Sequence, residues 1–287
     1  MRKSLRALIT LIVVAAAIAC GLWLWHYYLY TPWTRDARIG AEIITIAPDV
    51  SGRATELAVD DNVRVDAGQT LFRIDQARYQ AAFDKASAIV AQREAELALR
   101  EHEASRRAQL SRQAISAENQ ESANRNRDVA AATLDQARSD LASARLDLER
   151  TDVTAPAAGH VLNLQLAQGN YVTRGTAVMA LVVEGSYYVT AYFEETKRPA
   201  FAVGDPATVI LMSGDIELAG HVESIGRGIA DDNTAPNNQL LPQVEPTFSW
   251  VRLAQRIPVR IALDELPEGL ELSAGMTATV RVQQESR

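Results

Sequence analysis

The histidines and carboxylates are the side chains of this sequence that could do acid–base or metal chemistry. The four histidines are far apart and lack the HExxH-type spacing that holds zinc: His26, His102, His160 and His221. The carboxylates are scattered along predicted helices, and Glu194 and Glu195 most simply open a short helix. No phosphate-binding loop, nucleophile elbow or dinucleotide fingerprint occurs, since Gly226-Arg227-Gly228 is too short. We therefore predict no catalytic, metal or cofactor-binding residues and do not expect an enzyme.

The composition limits the class of protein further. The 287 residues carry a net charge of −7, with 47% hydrophobic residues, one cysteine and three lysines. An acidic chain without an aromatic and basic platform is not expected to bind nucleic acid. One cysteine cannot form an internal disulfide. The length suits several small domains better than one large core.

A long stretch, residues 76–150, has no Pro or Gly and is dense in Ala, Leu, Gln, Glu and Arg, which predicts helix. Its second half has a heptad seam: Ala130, Leu134, Ala137, Leu141, Ala144 and Leu148. Its first half has a looser stripe: Tyr79, Phe83, Ala86, Val90, Leu97, Ala104 and Ala108. The pattern breaks at residues 113–116, where Ser116 can cap a new helix and Glu118 lies in its first turn. We predict an antiparallel coiled-coil hairpin whose arms are about 50–55 Å long.

An internal repeat flanks this hairpin. Counted from Gly52 and Gly159, matching residues recur at equal spacing: Leu57 with Leu164, Val59 with Leu166, Val65 with Val172, and Gly68 with Gly175. Each copy alternates apolar and polar residues between turn-forming residues. The repeat therefore predicts two short β-halves of one sandwich.

Two such halves resemble the lipoyl or biotinyl carrier domain, here split by the hairpin. A lipoyl-like sandwich interrupted by a helical hairpin resembles the HlyD/EmrA-type membrane fusion proteins, the periplasmic adaptors of tripartite efflux pumps. Five segments are similar to the branch of this family that serves aromatic carboxylic acid efflux: residues 31–38, 46–52, 72–79, 146–151 and 250–260.

The resemblance implies a function and a set of partners. The chain would link an inner-membrane transporter of the aromatic acid exporter type to a TolC-like outer-membrane channel. Its copies would assemble into a homo-oligomer, a hexamer in this family's pattern, and its cargo would be hydroxylated aromatic carboxylates. An adaptor for a multidrug or polypeptide exporter would share the same architecture and stays open as an alternative.

A carrier subunit of an enzyme is the alternative outside this class. Asp84-Lys85-Ala86 spells the tripeptide in which lipoyl groups are attached, and Lys85 is the only lysine of the hairpin. A carrier lysine must occupy an exposed turn between the two β-halves. Lys85 instead follows Asp75, a predicted N-cap, by nearly three helical turns, so we predict a solvated helical residue.

Family adaptors contact the channel through an Arg, a Leu and a Ser at the hairpin tip. The resemblance assigns this contact to Arg106, Arg107, Leu110 and Ser116. The match is partial, because Arg106 keeps the family's step to Leu110 while Ser116 then falls one place early. The alternative is that Ser116 only caps its helix and the arginines only keep it soluble.

The N-terminus carries an uncharged run, residues 8–25, that is long enough to span a membrane. Basic residues precede the run and aromatic residues stand at its far end: Arg2, Lys3 and Arg6, then Trp23 and Trp25. This pattern predicts a single transmembrane helix with a cytoplasmic N-terminus and a periplasmic bulk. A cleaved signal peptide and a lipid anchor at Cys20 remain alternatives.

The remainder is β-rich. Strands are predicted at residues 207–212, 216–225, 250–263 and 276–282, with a helical turn at 194–197 and a long loop near 227–249. The fold class is therefore mostly β with a long helical hairpin. The predicted parts are an anchor (1–30), a segment joining the membrane-proximal barrel region (31–46), the first lipoyl half (47–75), the hairpin (76–150), the second half (151–183), and a C-terminal β-barrel and membrane-proximal region (184–287).

Overall fold

The structure is a computed structural model that describes residues 10–22, 31–109, 117–214, 216–228, 254–267 and 269–283. The chain divides into two compact units, one formed by residues 1–42 with 185–287 and the other by residues 43–184. A helix, α1 (residues 10–22), comes first. The further elements are β1 (Trp33–Gly40), β2 (Ile43–Ile46), β3 (Gly52–Leu57), β4 (Arg64–Val65), β5 (Thr70–Ile74), α2 (Ala77–Gln109), α3 (Ala117–Glu149), β6 (Asp152–Thr154), β7 (Gly159–Leu162), β8 (Tyr171–Val172), β9 (Met179–Val183), β10 (Tyr188–Glu194), β11 (Pro206–Leu211), β12 (Glu217–Ile225), β13 (Arg256–Leu263) and β14 (Thr277–Val282).

The second unit contains a sandwich of two four-stranded sheets, with strand orders β2-β9-β7-β4 and β6-β5-β3-β8. Apolar residues from both sheets form its core, including Ala54, Leu71, Phe72, Val161 and Leu181. All its strand pairs are antiparallel. This is the split lipoyl-like sandwich that the sequence predicts.

The internal repeat reappears as matched contacts between the halves. The strand pair β3–β8 joins the two halves, and so does the pair β4–β7. The two pairs are equivalent, because β7 is the copy of β3 and β8 is the copy of β4 in the repeat. Gly68 donates its N–H to the Ala155 carbonyl (2.8 Å), and Gly175 donates to the Pro48 carbonyl (2.9 Å). Both glycines have positive φ, +81° and +76°, the region in which glycine is favoured. Each half therefore completes the sheets of the other.

The helical insertion connects β5 to β6. Its arms α2 and α3 each contain 33 residues and are therefore about 50 Å long. Asp75 caps α2, because its carboxylate accepts a hydrogen bond from the Ala77 N–H (3.0 Å). The predicted seam of α3 is confirmed: Ala130, Leu134 and Ala137 are buried, and the seam positions that follow them are half-buried. The predicted junction, residues 113–116, lies outside the described residues.

The seam of α2 differs from the predicted stripe. Its heptad is regular. The two heptad positions at which the predicted stripe has no apolar residue are occupied by the half-buried Arg93 and Arg100. Each pairs with a glutamate three residues ahead, Arg93 with Glu96 (2.7 Å) and Arg100 with Glu103 (3.2 Å). Ala108, predicted on the stripe, is exposed. The prediction failed here because it counted only apolar residues, whereas long arginine side chains can bury their stems in a seam.

The first unit is a closed six-stranded barrel with strand order β1-β10-β13-β12-β11-β14. Alternate residues point inward to its core, such as Val189, Ala191 and Phe193 of β10. The predicted helical turn is a short 3-10 helix, Glu195–Ala200. The predicted loop near 227–249 falls largely within residues 229–253, which lie outside the described residues, as do positions 250–253 of the predicted strand 250–263.

The segment 31–46 divides between the two units. β1 pairs with β10 and β14 in the barrel, as predicted for this segment. β2, however, pairs with β9 in the sandwich. The structure therefore differs from the prediction at Ile43–Ile46, where Ile46 reaches the sandwich core. The alternating pattern predicts a strand correctly but does not specify which sheet the strand joins.

The predicted anchor, residues 8–25, lies partly outside the described residues. Residues 10–22 are helical and exposed. Among the described residues, no helix has the length and hydrophobicity needed to cross a membrane. The predicted interfacial residues Arg2, Lys3, Arg6, Trp23 and Trp25 all lie outside the described residues.

Candidate functional site

The end of the hairpin that is remote from the sandwich is the first candidate site. Arg106 is exposed near the end of α2, whereas Arg107 is half-buried and donates to the Asn119 carbonyl of α3 (3.4 Å). Arg107 occupies the heptad position after Ala104, so it faces the opposite arm. Leu110 and Ser116 lie outside the described residues. Of the four predicted tip residues, Arg106 is the one whose described position leaves it accessible to a partner.

A set of hydrogen bonds fixes the base of the hairpin to the sandwich. The Thr151 side chain is fully buried, accepts a hydrogen bond from Gln76 Nε2 (2.9 Å) and donates to the Leu148 carbonyl (2.5 Å). The Tyr79 hydroxyl donates to the Ser51 carbonyl (2.7 Å). These bonds join the two ends of the hairpin to each other and join α2 to the residue that precedes β3. The sequence analysis did not identify Thr151, and a buried polar residue directly after a helix was the feature that could have indicated it.

Charged pairs along the hairpin add little to its stability. Arg138 of α3 reaches Glu94 of α2 (3.1 Å), while Arg125–Glu121 and Arg145–Glu149 lie within one helix. Exposed pairs of this kind are worth about 0.2–1 kcal/mol at most. The arms therefore depend on their seam for mutual packing.

Lys85 lies on α2 with its side chain exposed, and the neighbouring Asp84 accepts a hydrogen bond from Gln80 Nε2 (2.9 Å). The predicted solvated helical position is confirmed. A rigid helix does not provide the swinging turn that a carrier lysine requires. The tripeptide therefore gives no support to a carrier role.

Two further charged pairs involve groups that could titrate. His221 Nδ1 lies 2.7 Å from Asp264 Oδ1 in the barrel unit. Arg64 and Glu184 form a two-point pair in the sandwich (2.9 and 3.2 Å); the hydrogen bond from Arg64 lowers the pKa of the Glu184 carboxyl, and the same bond raises the pKa of the guanidinium. Within the described residues, no group of three or more His, Cys, Asp or Glu could hold a metal ion.

A cavity of about 340 Å³ opens in the barrel unit, and the sequence analysis did not predict it. Its lining combines aromatic and charged side chains: Trp33, Thr34, Arg35, Asp36, Tyr192, Glu194, Lys197 and Arg256. These residues come from β1, β10, the 3-10 helix and the start of β13. Only the fold brings them together, since they are spread over more than two hundred positions of the sequence.

Comparison with known protein families divides the chain at the same place as the structure. Residues 42–184 match the family described as the barrel-sandwich hybrid domain of RND membrane fusion proteins. Residues 186–283 match the AAEA-like beta-barrel domain. Together these matches cover the sandwich with its hairpin and most of the barrel.

A full-length relative and two solved structures extend the comparison. The protein YdhJ of Escherichia coli (strain K12) is 43% identical over 282 residues, which is 98% of this chain and 99% of YdhJ. The membrane fusion protein Spr0693 of Streptococcus pneumoniae R6 is similar with a TM-score of 0.64 and 18% identity, covering 87% of this chain and 98% of Spr0693. MacA of Actinobacillus actinomycetemcomitans is similar with a TM-score of 0.63 and 19% identity, covering 89% and 82%. At these identities the two structures show a similarity of fold alone. With the sandwich, the inserted hairpin and the barrel all matched, the chain belongs to the HlyD/EmrA-type family of membrane fusion proteins, the periplasmic adaptors of efflux systems.

Proposed function

We propose that this chain is the adaptor subunit of a tripartite pump, linking an inner-membrane exporter to a TolC-like outer-membrane channel. The observation that carries the proposal is the hairpin, whose arms of about 50 Å leave adjacent strands of a membrane fusion protein sandwich. Two helices of this length that pack only along one seam leave most of their surface accessible. Such an element is suited to reach a partner. Members of the family act as non-enzymatic adaptors, and we propose the same for this chain, with the energy for transport coming from the exporter.

For the cargo we propose hydroxylated aromatic carboxylates. Two observations support this choice: the sequence segments that resemble the aromatic carboxylic acid branch, and the AAEA-like barrel at residues 186–283. The exporter would then be of the aromatic acid exporter type. The alternative adaptors, for multidrug or polypeptide exporters, predict a different substrate profile.

For the location we propose a single N-terminal transmembrane anchor at residues 8–25, with a cytoplasmic N-terminus and a periplasmic bulk. The support is the pattern of the sequence, in which Arg2, Lys3 and Arg6 precede the apolar run and Trp23 and Trp25 end it. We also propose a homo-oligomer, a hexamer by the family pattern. Labelling of single cysteines on each side of the membrane would test the orientation.

For the channel contact we propose the hairpin tip, with Arg106 in the leading role. Arg106 is exposed, and a guanidinium can bond carbonyls or carboxylates at the end of a partner helix. Arg107 acts instead between the arms, through its bond to Asn119. Leu110 and Ser116 complete the proposed tip on the sequence pattern alone.

The experiment is affinity purification of the full chain from its native membrane, with a photocrosslinking residue at position 106. A matched probe replaces Lys85, which is also exposed on α2 but lies about 30 Å nearer the sandwich. We expect an inner-membrane exporter and an outer-membrane channel to co-purify, with channel crosslinks from position 106 and none from position 85.

Two results would contradict the proposal. Recovery of the chain alone, or with soluble acyl-transfer enzymes, would refute the adaptor function. Equal channel crosslinking from both positions would refute the tip contact. Challenge of a deletion strain with hydroxylated benzoates and with unrelated drugs then tests the cargo: sensitivity to drugs only would refute the aromatic acid proposal.

A further inference from the structure

The cavity in the barrel unit has the features of a built site. A β-bulge lies in β1 between Thr34 and Ala37, where its register against β14 shifts. A bulge re-aims the side chains beside it, and here those residues are Arg35 and Asp36, which both line the cavity. Thr34 fixes the bulge by donating to the Tyr192 carbonyl (2.7 Å) and accepting from the Asp36 N–H (3.1 Å).

Lys197 is the residue that points most directly to a ligand. It is only 7% exposed, yet it lines the cavity and carries a charge. Its Nζ donates to the Trp33 carbonyl (3.2 Å), lies 5.0 Å from the centre of the Trp33 ring, and is 3.6 Å from Glu194 Oε2. An ammonium has three N–H donors, and among the described residues one hydrogen bond to Nζ is present. Glu194 is one anion beside this buried cation, and the remaining donor capacity of Nζ allows it to take a second anionic acceptor.

The rest of the lining defines the kind of anion. Three cations, Arg35, Lys197 and Arg256, face two carboxylates, Asp36 and Glu194, which leaves a net positive charge of one. Arg256 is paired with Asp36 and stands opposite Glu194 in the β10–β13 register. The guanidinium therefore stays at the rim of the cavity, where it can also reach an incoming carboxylate.

Aromatic rings supply the apolar surface. Trp33 and Tyr192 both line the cavity and are half-buried, so part of each ring is covered by protein and part is accessible. A volume of about 340 Å³ is at the lower end of the range of small-molecule pockets, which favours a small ligand. We infer that this cavity binds one small planar organic anion, an aromatic carboxylate, with its carboxylate at Lys197 and Arg256 and its ring against Trp33 and Tyr192.

The test is calorimetric titration of the full chain in neutral detergent, with empty micelles as the blank. Benzoate is the probe, benzamide its neutral counterpart and hexanoate its non-aromatic counterpart. We expect saturable binding of benzoate and weaker binding of both counterparts. Benzamide should bind roughly tenfold more weakly, because it lacks the negative charge that strengthens hydrogen bonds from Lys197 and Arg256.

Variants separate this site from adventitious binding. Lys197→Met keeps the apolar stem and removes the charge, and Arg256→Gln removes the rim cation; we expect each to weaken benzoate binding by roughly tenfold. The matched control is Arg260→Gln, since Arg260 lies four residues along β13 with its own carboxylate, Glu223 (2.7 Å), outside the cavity lining. We expect the control to bind benzoate like the unmodified chain.

The outcomes are distinct. The inference is overturned if benzoate shows no saturable binding, if benzamide binds equally well, or if Arg256→Gln and Arg260→Gln bind benzoate equally. Circular dichroism checks the folding of Lys197→Met, and the exposed Arg256 keeps the test decisive if that variant unfolds. The inference rests on the proposed function only for the choice of probe: co-purification of the exporter and channel without benzoate binding would refute this site and leave the adaptor function standing.

Discussion

The stability of the hairpin should depend on the buried Leu134 far more than on the exposed Leu146 of the same helix. Leu134 is 3% exposed in the seam of α3, where its buried neighbours along the stripe, Ala123, Ala130 and Ala137, are all small. Leu134→Ala removes three carbon atoms from water-excluded packing, at about 0.8 kcal/mol for each. Two packed helices can close only part of the resulting cavity, so we expect a loss of about 2–3 kcal/mol in the free energy of opening the hairpin.

Hydrogen–deuterium exchange with mass spectrometry measures this loss for each segment of the chain. A change of 2–3 kcal/mol corresponds to amide exchange that is about 30- to 150-fold faster in α2 and α3. The strands of the sandwich core should keep their protection, because their packing is formed by a separate set of residues. The matched control is Leu146→Ala in the same helix, where the side chain is 45% exposed and the expected change is below about 0.5 kcal/mol.

Two results would refute this reasoning. Equal exchange in the Leu134 and Leu146 variants would mean that the seam does not hold the arms together. Faster exchange in the sandwich to the same degree as in the hairpin would mean that the two open as one cooperative unit. In that case the hairpin would not be a separate stability element, and its length would be supported by the sandwich.

Three further predictions concern the sandwich and its junction with the hairpin. Thr151→Val keeps the shape but removes two hydrogen bonds at the base, so we expect a loss of about 1–2 kcal/mol, measured as faster amide exchange in the first turn of α2 and the last turn of α3 with little change at the tip. Gly159→Ala would place a Cβ atom 2.1 Å from the Val182 carbonyl oxygen, so we expect the free energy of unfolding to fall by about 1–3 kcal/mol. A thermal melt measures this loss as a lower midpoint, and an unchanged midpoint would contradict the close approach. The pKa of Glu184 is lowered, so its pair with Arg64 stabilises the fold at pH values above the ordinary pKa of a carboxyl group, and this contribution is lost as the pH falls through the folded-state pKa. Arg64→Gln should therefore lower the free energy of unfolding at pH 7 and leave it unchanged well below pH 4.5. Denaturant titrations at the two pH values would check this.

The sequence predicts those parts of the fold whose cause is local or repeated. The seam of α3 follows from small and apolar residues at heptad spacing, and the sandwich halves follow from equal spacing after Gly52 and Gly159. The assignment of Ile43–Ile46 to the wrong unit has a different origin, because alternation of apolar residues fixes a strand but not its partner. Strand pairing is decided by contacts between distant segments, which one sequence does not display.

The two candidate sites differ in the same way. The tip residues lie within a short stretch and could be proposed from a motif, although the structure separates the exposed Arg106 from Arg107, which bonds to the opposite arm. The cavity could not be proposed, because Trp33, Lys197 and Arg256 meet only when the barrel closes. Lys197 also gave no indication in the sequence, since a single lysine beside acidic residues is usually a solvated surface residue.

The pairing pattern of the sandwich explains how it can carry so long an insertion. β3 pairs with β8 in one sheet and β4 pairs with β7 in the other. The two halves are therefore held together by strand pairing in both sheets, and not only by the inserted hairpin that links them along the chain. β5 and β6 are antiparallel neighbours, so the two ends of the insertion leave the sandwich side by side. An antiparallel hairpin can begin and end at such a pair with no change in the sheets, because its seam supplies its own packing. The length of the hairpin is therefore free to vary without affecting the sandwich. Under the proposed function, the distance to the channel that the tip contacts is the property that would set this length.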